Sequence, residues 1–229
     1  MNAMGFLTSP LLSQVTGLAH GFGKRVAGSR TAAREAAAAT FQSAGDVYFL
    51  KQVHGSTVVS PPWTNPPEAD GGVTGDAGSL LAIETADCLP ILIVDPIRRR
   101  VAAAHAGWRG TALGVAQKTA RVLIETGSRP EDLLAALGPA IRSCCYEVGQ
   151  DVEEAFGPGA ATFFVPGRLA RKHLDNIGAN RAQLEAAGLA PEHIDCVDLC
   201  TRDREDLFFS YRRDGANAGR MISVIGFSR

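Results

Sequence analysis

The sequence predicts a single domain of mixed α/β class, and three observations support this prediction. Short apolar runs of strand length recur along the chain, longer segments carry apolar residues at helical spacing, and the one linker-like stretch is too short to separate two folding units. The chain has 229 residues, of which 45% are hydrophobic and 21% charged, so it has the composition of a globular protein with a full core. We therefore predict one domain over residues 1–229.

The strands are predicted from short apolar runs, two of which end beside chemically reactive groups. A polar interruption that contains Cys88 separates the first two runs, and the third run delivers His105 at its end. Asp95–Pro96 begins a turn, so Arg98–Arg100 is interpreted as the solvated turn of a hairpin. The predicted strands are Leu80–Ile83, Ile91–Val94, Val101–Ala104, Leu133–Leu137, Ile194–Leu199 and Met221–Phe227.

Two longer segments have the apolar spacing of amphipathic helices. The first runs from Gly110 to Glu125 and is stopped by Gly127. The second runs from about Leu169 to Ala187 and is stopped by Gly188. The stretch Ser60–Gly78 is rich in proline and glycine, and we interpret it as a long surface loop near the site.

Charge and composition exclude several classes of protein. A formal net charge of −1 gives no general attraction for nucleic acid or for an anionic membrane. The first residues lack the pattern of a signal peptide, and no apolar segment approaches the roughly 20 residues needed to span a bilayer. We therefore expect a cytoplasmic protein that binds neither nucleic acid nor membranes. Five cysteines in such a chain argue against a disulfide framework and leave thiols for metal binding or catalysis.

His54, Cys88 and His105 are the strongest candidate site residues. They lie in K-Q-V-H-G (51–55), T-A-D-C-L-P (85–90) and H-A-G-W-R-G (105–110), where small residues allow backbone and substrate to approach closely. One thiolate and two imidazoles can bind zinc and leave a fourth coordination position open. The same groups could also act as a nucleophile with its bases, so both interpretations remain open.

The structural alternatives to these roles differ from residue to residue. A histidine is more often a satisfied structural group than a ligand, and we assign His20, His173 and His193 to that class. His54 and His105 are followed by glycine or Ala-Gly, where a packing role would favour bulky neighbours. Cys88 could be a small buried hydrophobic residue, although its polar neighbours favour a functional role about as strongly.

The remaining cysteines and arginines give weaker signals. Cys144, Cys145, Cys196 and Cys200 could form a four-thiolate zinc site, but their spacing argues against it, and we assign Cys196 and Cys200 to packing. The segment 138–149 either lines the pocket or forms a loop that caps a helix starting near Gln150. The pair Arg212–Arg213 either clamps an anion or forms a solvated pair at a strand end.

Six motifs follow one another along the chain: K-Q-V-H-G (51–55), E-A-D-G (68–71), E-T-A-D-C-L-P (84–90), H-A-G-W-R-G (105–110), L-G-P-A-I-x-x-C-C-Y-E-V-G (137–149) and a terminal F-F-S-Y-R-R-D…G-R (208–220). In this order they resemble the YfiH/FAMIN family, whose members have been described as laccase-domain polyphenol oxidases, purine nucleoside phosphorylases and a peptidoglycan editing factor. The resemblance extends from about Leu50 onward and implies one layered sandwich of mixed β-sheets with outer helices, related to cysteine hydrolases. It also implies zinc binding and catalysis at His54, Cys88 and His105.

The resemblance is weaker at the N-terminus. His20–Gly21–Phe22 is similar to the family's H-G-F opening, and Arg25 is similar to the arginine that follows it. The family's glycine-serine loop and its S-L-N-L segment are not visible between Gly28 and Ala39. Arg25 is therefore only a candidate for substrate binding.

The residues help to choose among the activities described for the family. A multicopper laccase needs about ten histidines, mostly in H-x-H pairs, whereas this chain has five histidines and no such pair, so copper is disfavoured. Phosphorolysis of a purine nucleoside needs cationic groups for phosphate and an acid or electrostatic partner for the departing base. We assign the first task to Arg25, Lys51 and Arg109, and the second to the two histidines and the cysteine, with or without zinc.

The sequence thus predicts a purine nucleoside phosphorylase that cleaves adenosine, inosine, guanosine or methylthioadenosine with phosphate. A side activity as adenosine deaminase rests on the resemblance, because the H-x-E…P-C-x-x-C signature of ordinary zinc deaminases is absent. Two alternatives remain open. One is a cysteine-dependent hydrolase in peptidoglycan precursor editing, with Cys88 as nucleophile, and the other is a metal-dependent binding module without turnover.

Overall fold

The computed structural model describes residues 5–25, 30–41, 46–167 and 171–229. No helix within these ranges is both long and apolar enough to cross a membrane. The strands are β1 Phe6–Leu7, β2 Leu18–Gly23, β3 Asp46–Phe49, β4 Val58–Val59, β5 Gly71–Thr74, β6 Ser79–Thr85, β7 Leu89–Asp95, β8 Arg100–Ala106, β9 Leu134–Leu137, β10 Glu147–Val148, β11 Phe164–Pro166, β12 Lys172–Leu174, β13 Ile194–Cys196 and β14 Met221–Phe227. The helices are α1 Arg30–Thr40, α2 Trp108–Ala112, α3 Val115–Glu125, α4 Gln150–Phe156, α5 Asn176–Ala186 and α6 Tyr211–Asp214.

Within the described residues, the strands form two large sheets and one small sheet. The first large sheet has the order β1-β2-β14-β6-β3, and the second has the order β13-β9-β7-β8-β5-β4. The small sheet has the order β10-β12-β11. Both large sheets are mixed. The parallel pairs are β3 with β6, β4 with β5, and β13 with β9, and all other neighbouring strands in these two sheets are antiparallel.

Strand β7 shows why the central strands are apolar without interruption. Because successive side chains point to opposite faces of a strand, Ile91 and Ile93 pack toward helices α3 and α5. Leu92 and Val94 face the opposite way and pack against the five-stranded sheet, next to Ile83. Both faces of β7 are therefore buried, so no polar alternation is expected in its sequence.

The layers follow from these contacts. Helices α3 and α5 cover one face of the six-stranded sheet, and the five-stranded sheet covers the other. The outer face of the five-stranded sheet carries Ile222 and Val224, which pack against Phe6, Phe41 and Phe49. The fold is thus the predicted layered sandwich of mixed β-sheets with outer helices.

Most predicted strands are confirmed, with two adjustments. The strand predicted at Ile194–Leu199 ends at Cys196. The hairpin between β7 and β8 is confirmed, but its turn is less solvated than expected, because the Arg98 guanidinium pairs with Asp95 and Asp132. The strands predicted correctly are Leu80–Ile83, Ile91–Val94, Val101–Ala104, Leu133–Leu137 and Met221–Phe227.

Both helix predictions need correction. The segment Gly110–Glu125 is divided into α2 and α3, because Gly114 adopts the left-handed conformation, with φ of 78°. The second helix begins only at Asn176, where the Asp175 carboxylate accepts a hydrogen bond from the N–H of Gly178 at 2.9 Å. Lys172–Leu174, which includes His173, is a strand instead. The predicted start at Leu169 lies outside the described residues.

The stretch Ser60–Gly78 is not a surface loop over its whole length, as we expected. Its second half contains β5, which is buried and pairs with both β4 and β8. Gly71 belongs to this strand and leaves no room for a side chain, since an added Cβ would lie 2.8 Å from Thr119 Oγ1 and 2.9 Å from Val58 Cγ2. This pairing brings Asp70, the residue before β5, next to His105.

His20 predicts a pH dependence of folding stability. Its ring is buried in β2, and Nε2 accepts a hydrogen bond from the N–H of Ser9 at 3.1 Å. Burial lowers the pKa of His20, so the unfolded chain binds the proton more tightly than the folded protein does. This contribution to stability is complete above the unfolded pKa of about 6.5 and is lost as the pH falls below it.

The test compares urea unfolding of the wild type with that of His20→Gln, which keeps an acceptor but does not titrate. Between about pH 7.5 and pH 5.5, the wild type should lose more unfolding free energy than the variant does. Equal losses in the two proteins would contradict the assignment.

Candidate functional site

Three separate segments of the chain bring His54, Cys88 and His105 together in the fold. His54 lies in the loop between β3 and β4, Cys88 in the turn between β6 and β7, and His105 near the end of β8. One side-chain ligand atom from each lies within 4.8 Å of the other two. Cys88 Sγ is 3.9 Å from His54 Nε2, and the two imidazole rings meet edge to face with centroids 4.9 Å apart. The three residues that the sequence singled out therefore form one cluster.

The Asp70 carboxylate fixes both histidines. It accepts the ring N–H of His105 at Nδ1 at 2.7 Å, and it also accepts the backbone N–H groups of His54 at 3.0 Å and of Gly55 at 2.7 Å. Asp70 is completely buried. The bond at Nδ1 directs the Nε2 atom of His105 toward Cys88, an arrangement typical of histidines that bind metal. Asp70 thus positions two of the three cluster residues.

Asp87 fixes the turn that carries Cys88. Its buried carboxylate accepts hydrogen bonds from Thr201 Oγ1 at 2.6 Å, from Ser210 Oγ at 3.0 Å and from the N–H of Arg212 at 2.6 Å. These bonds tie the turn to a distant part of the chain. Asp87 itself has φ of 87°, an uncommon conformation that the surrounding hydrogen bonds maintain.

The backbone around the cluster is closely packed. His54 has φ of 62°, and Gly107 lies directly against the cluster. An added Cβ at Gly107 would lie 2.9 Å from His54 Cδ2 and 3.1 Å from Cys88 Sγ. The glycine in H-A-G-W-R-G therefore serves the close approach that the sequence suggested.

The electrostatics of the cluster favour a thiolate on Cys88 and a cation on His105 when no metal is bound. Burial alone would raise the pKa of Cys88, but the positive charge and hydrogen bond of His105 outweigh burial and lower the pKa to about 6. Burial likewise opposes the charge on His105, but the Cys88 thiolate and the Asp70 carboxylate raise the pKa of His105 to about 9. The pair supplies a reactive thiolate, or a metal ligand that needs no further activation.

The donor set fits a divalent metal ion. In a tetrahedral site with metal–ligand bonds of 2.0–2.3 Å, sulfur and nitrogen ligands lie about 3.6 Å apart. The 3.9 Å between Cys88 Sγ and His54 Nε2 is close to that value. Three protein ligands leave one position open, which is typical of catalytic sites. His54, Cys88 and His105 are the residues that would hold the ion, with Asp70 orienting His105 behind them.

The Gly107 contact predicts that a side chain at this position weakens metal binding. Gly107→Ala should weaken zinc affinity on the order of tenfold, because the new methyl group displaces His54 and Cys88. Competition with a chromophoric chelator measures the effect. Gly159→Ala is the control, since no heavy atom of the described residues lies within 4 Å of that added Cβ. Equal affinities in the two variants would contradict the packing argument.

The cluster lies in a cavity of about 780 Å³ whose walls contain cationic, aromatic and acidic side chains. The acidic residues are Glu84, Asp87, Glu147 and Asp151. The cations are Arg109, Arg212 and Arg220, and the aromatic side chains include Trp108 and Tyr146. The Arg109 guanidinium lies over the Trp108 ring at 4.1 Å, and Arg212 lies 5.4 Å from the centroid of Tyr146. The cavity can thus accept a ligand with both an anionic and a flat apolar part.

Of the three cations predicted to bind phosphate, the structure places Arg109 in this cavity. Arg25 and Lys51 are not among the residues that line it. Arg25 donates to the carbonyl of Glu205 at 2.9 Å and lies over the Phe209 ring. Lys51 is exposed and pairs with Glu68 at 2.8 Å. Neither residue joins the cluster.

The structure separates the two members of the Arg212–Arg213 pair. Arg212 lines the cavity, as the clamp interpretation requires. Arg213 points elsewhere, because its guanidinium pairs with Asp214 and donates to the carbonyl of Phe208. Neither the clamp nor the solvated pair therefore describes both residues.

Sequence reasoning missed several residues at this site. Asp70 was visible only as part of the E-A-D-G motif, in a stretch that we interpreted as a surface loop. Tyr146 belongs to the segment 138–149, whose pocket-lining interpretation is favoured by its place in the cavity wall. Arg220 gave no signal beyond the terminal G-R of the last motif.

Comparison with known proteins places the chain in a family. Residues 22–228 match the family described as multi-copper polyphenol oxidoreductase laccase, and the chain belongs to this family, as the resemblance to YfiH implied. A protein from Deinococcus radiodurans named purine nucleoside phosphorylase is 44% identical over 197 residues, which cover 86% of this chain and 76% of the relative.

Two further relatives are a longer mouse protein and a bacterial protein of known structure. A purine nucleoside phosphorylase from Mus musculus is 36% identical over 186 residues, and the aligned part spans 78% of this chain but only 43% of the mouse protein. The crystal structure of YlmD from Geobacillus stearothermophilus is similar, with a TM-score of 0.89 and 31% identity over 100% of this chain and 98% of that one. This chain therefore shares its fold, over its whole length, with that solved structure.

Proposed function

We propose that this protein is a purine nucleoside phosphorylase, which cleaves adenosine, inosine, guanosine or methylthioadenosine with phosphate to the free base and a pentose 1-phosphate. One observation carries the proposal. The His54, Cys88 and His105 cluster lies in a cavity whose walls present both arginines and aromatic rings. The names of the Deinococcus and mouse relatives support the same activity.

The arginines of the cavity wall are the groups that would bind phosphate. Among the described residues, no carboxylate forms an ion pair with Arg109, Arg212 or Arg220, so their charges remain available in the cavity. Guanidinium groups bind phosphate oxygens through paired N–H donors. In our proposal they hold phosphate against the anomeric carbon, where one of its oxygens forms the new C–O bond as the C–N bond to the base breaks.

The aromatic side chains of the cavity wall are the groups that would bind the purine base. Trp108 offers a flat face for stacking, and Tyr146 lies on the same cavity wall. Burial, together with the negative charges of Cys88 and Asp87, raises the pKa of Tyr146 above its usual range. Its hydroxyl therefore keeps its proton and can donate a hydrogen bond to a purine nitrogen or to phosphate.

We propose zinc as the ion held by His54, Cys88 and His105. When bound, the ion supplies Lewis-acid stabilisation of the negative charge that develops in the transition state. Asp70 keeps Nδ1 of His105 protonated, so that Nε2 remains free to bind. The departing purine needs a proton, which comes from phosphate or from solvent, so that the atoms of the reaction balance.

A cysteine-dependent hydrolase is the second candidate, and one observation favours it. Asp70, His105 and Cys88 follow one another as orienting carboxylate, base and nucleophile, the sequence of roles found in hydrolases with a catalytic triad. In this reaction the Cys88 thiolate would attack an acyl carbon of a peptidoglycan precursor, and the bond from that carbon to its amine leaving group would break as the amine takes up a proton. Water would then hydrolyse the resulting thioester to the free acid and release Cys88. The two candidates differ in one requirement, since phosphorolysis consumes phosphate and acyl hydrolysis does not.

The deciding experiment incubates the zinc-loaded protein with each nucleoside, with and without phosphate, and analyses the products by chromatography. We expect free base and pentose 1-phosphate in equal amounts, and only when phosphate is present. A parallel reaction with an aminoacyl muramate precursor tests the hydrolase. Elemental analysis of the same sample reports its zinc and copper content.

Each result has a definite meaning. Base released equally without phosphate would overturn phosphorolysis in favour of hydrolysis, and cleavage of the precursor alone would favour the cysteine hydrolase. Inosine formed from adenosine would add a deaminase activity. Absence of turnover in the zinc-loaded protein would overturn both enzymes and favour a binding module, and stoichiometric copper with a blue absorption band would overturn zinc.

A further inference from the structure

A second group of metal-binding side chains lies outside the cluster described above. Cys144, Cys145, Cys200 and Asp203 each offer one ligand atom, and these four atoms lie within 4.8 Å of one another. The sulfurs of Cys144 and Cys145 are 3.5 Å apart. One oxygen of Asp203 lies 2.9 Å from Cys145 Sγ, and the other lies 3.3 Å from Cys144 Sγ.

These separations are close to those of ligands around one small cation. Tetrahedral bonds of 2.3 Å to sulfur and 2.0 Å to oxygen place two sulfurs about 3.8 Å apart and a sulfur and an oxygen about 3.5 Å apart. The observed sulfur–sulfur distance is about 0.3 Å shorter than this value, and the two sulfur–oxygen distances are about 0.2 and 0.6 Å shorter. The side chains would therefore have to move apart by up to about 0.6 Å to admit the ion.

The backbone holds the two halves of the group in place. In the first half, the N–H of Cys145 donates to the carbonyl of Arg142 at 2.8 Å in a tight turn that presents adjacent cysteines on one side. In the second half, Cys200 forms a bridge with Ala140, and the N–H of Arg204 donates to the Cys200 carbonyl at 3.0 Å. That turn brings Asp203 back over the sulfurs. The site is thus built from segments about 55 residues apart in the sequence.

Packing alone does not account for the group. A cysteine that serves as a small hydrophobic residue is normally buried among apolar neighbours. Here Cys144 is exposed, Cys145 is partly buried, and an exposed carboxylate contacts both sulfurs. The Arg202 guanidinium lies 3.5 Å from Cys145 Sγ, where it offsets the negative charge of thiolate ligands.

We propose that Cys144, Cys145, Cys200 and Asp203 form a second, structural metal site for Zn²⁺ or another thiophilic divalent cation. Four protein ligands fill a tetrahedral shell and leave no open position, which distinguishes a structural from a catalytic zinc site. Binding releases the protons of the three thiols to solvent, and no oxidant or reductant takes part.

The site would stabilise one wall of the cavity. Tyr146, which lines the cavity, directly follows Cys145. Thr201 directly follows Cys200 and donates to the Asp87 carboxylate, which in turn holds the turn that presents Cys88. A cation that joins the two segments would therefore restrict both Tyr146 and Cys88, although it lies outside the catalytic cluster.

The proposed site differs from the four-cysteine site that the sequence offered. The sequence offered a set that included Cys196, with spacing that argued against it, and assigned Cys200 to packing. In the structure, Cys196 lies in β13 and packs against the main core, whereas Asp203 occupies the fourth place beside Cys200. A short segment that ends in C-x-x-D supplied the missing ligand.

The test uses the full chain, kept under a thiol-free reductant, with metal content as the readout. In Cys88→Ala, which lacks one ligand of the catalytic cluster, zinc-reconstituted and gel-filtered protein should retain about one zinc per chain at the second site. Adding Cys200→Ser to Cys88→Ala should reduce zinc to near zero. Adding Cys196→Ser should leave it unchanged, and this variant is the matched control.

Two further measurements make the result independent of folding defects. Asp203→Asn changes an exposed residue, and in the Cys88→Ala background it should lower zinc affinity at least about tenfold while circular dichroism stays the same. Cobalt added to Cys88→Ala should produce a thiolate charge-transfer band that Cys200→Ser removes. Zinc-free Cys88→Ala after reconstitution, or zinc that survives Cys200→Ser, would overturn the proposal.

Discussion

Cys88→Ala is expected to reduce phosphate-dependent nucleoside cleavage on the order of a thousandfold or more, because it removes a group that takes part in the reaction directly. The loss should appear in kcat more than in KM, since the arginines and aromatic side chains that bind substrate stay in place. Stability should change little, by about 1 kcal/mol, because Cys88 is small and only partly buried. Steady-state kinetics and urea unfolding of the same sample measure both effects.

The matched control is Cys196→Ala. This cysteine is also partly buried, but it lies in β13 and belongs to neither metal-binding group. It should retain near-normal activity. If Cys88→Ala remains folded and cleaves nucleosides at the wild-type rate, the assignment of the catalytic cluster is wrong, together with the role of both histidines.

Asp70→Asn should have the second largest effect. The carboxylate accepts four hydrogen bonds, from the His105 ring and from the backbone N–H groups of Val53, His54 and Gly55. An amide has one oxygen, and its NH₂ group must then face N–H donors. We expect zinc affinity to fall about 10–100-fold, as for other partners of metal-binding histidines, and stability to fall by about 1–3 kcal/mol.

Glu68→Gln is the control for Asp70→Asn. Glu68 carries the same charge two residues earlier, but it is exposed and pairs only with Lys51 among the contacts shown. Its loss should leave zinc affinity and cleavage close to wild type. Chelator competition, thermal unfolding and kcat/KM give three separate readouts. If Asp70→Asn binds zinc as tightly as Glu68→Gln does, then Asp70 does not position the histidines.

The success of the sequence predictions depended on how local each signal was. Strands β7 and β8 were predicted correctly, because burial on both faces produces an apolar run that needs no knowledge of the rest of the chain. The N-terminal part of the helix predicted from Leu169 was wrong, because Lys172–Leu174 pairs with Glu147–Val148 about 25 residues away. The spacing of apolar residues within a segment does not indicate which distant strand the segment pairs with.

The sequence by itself determined the mixed α/β class and singled out His54, Cys88 and His105, since reactive side chains beside small residues form patterns within a few positions. The layered arrangement of the sheets was implied by the resemblance to the YfiH/FAMIN family. Only the tertiary structure decided that Asp70 holds both histidines, that Arg109 rather than Lys51 reaches the cavity, and that Asp203 joins three cysteines. The physical reason is the same in each case. A side chain's hydrogen-bond and ion-pair partners are selected by the packing of distant segments, and no local sequence pattern specifies that packing.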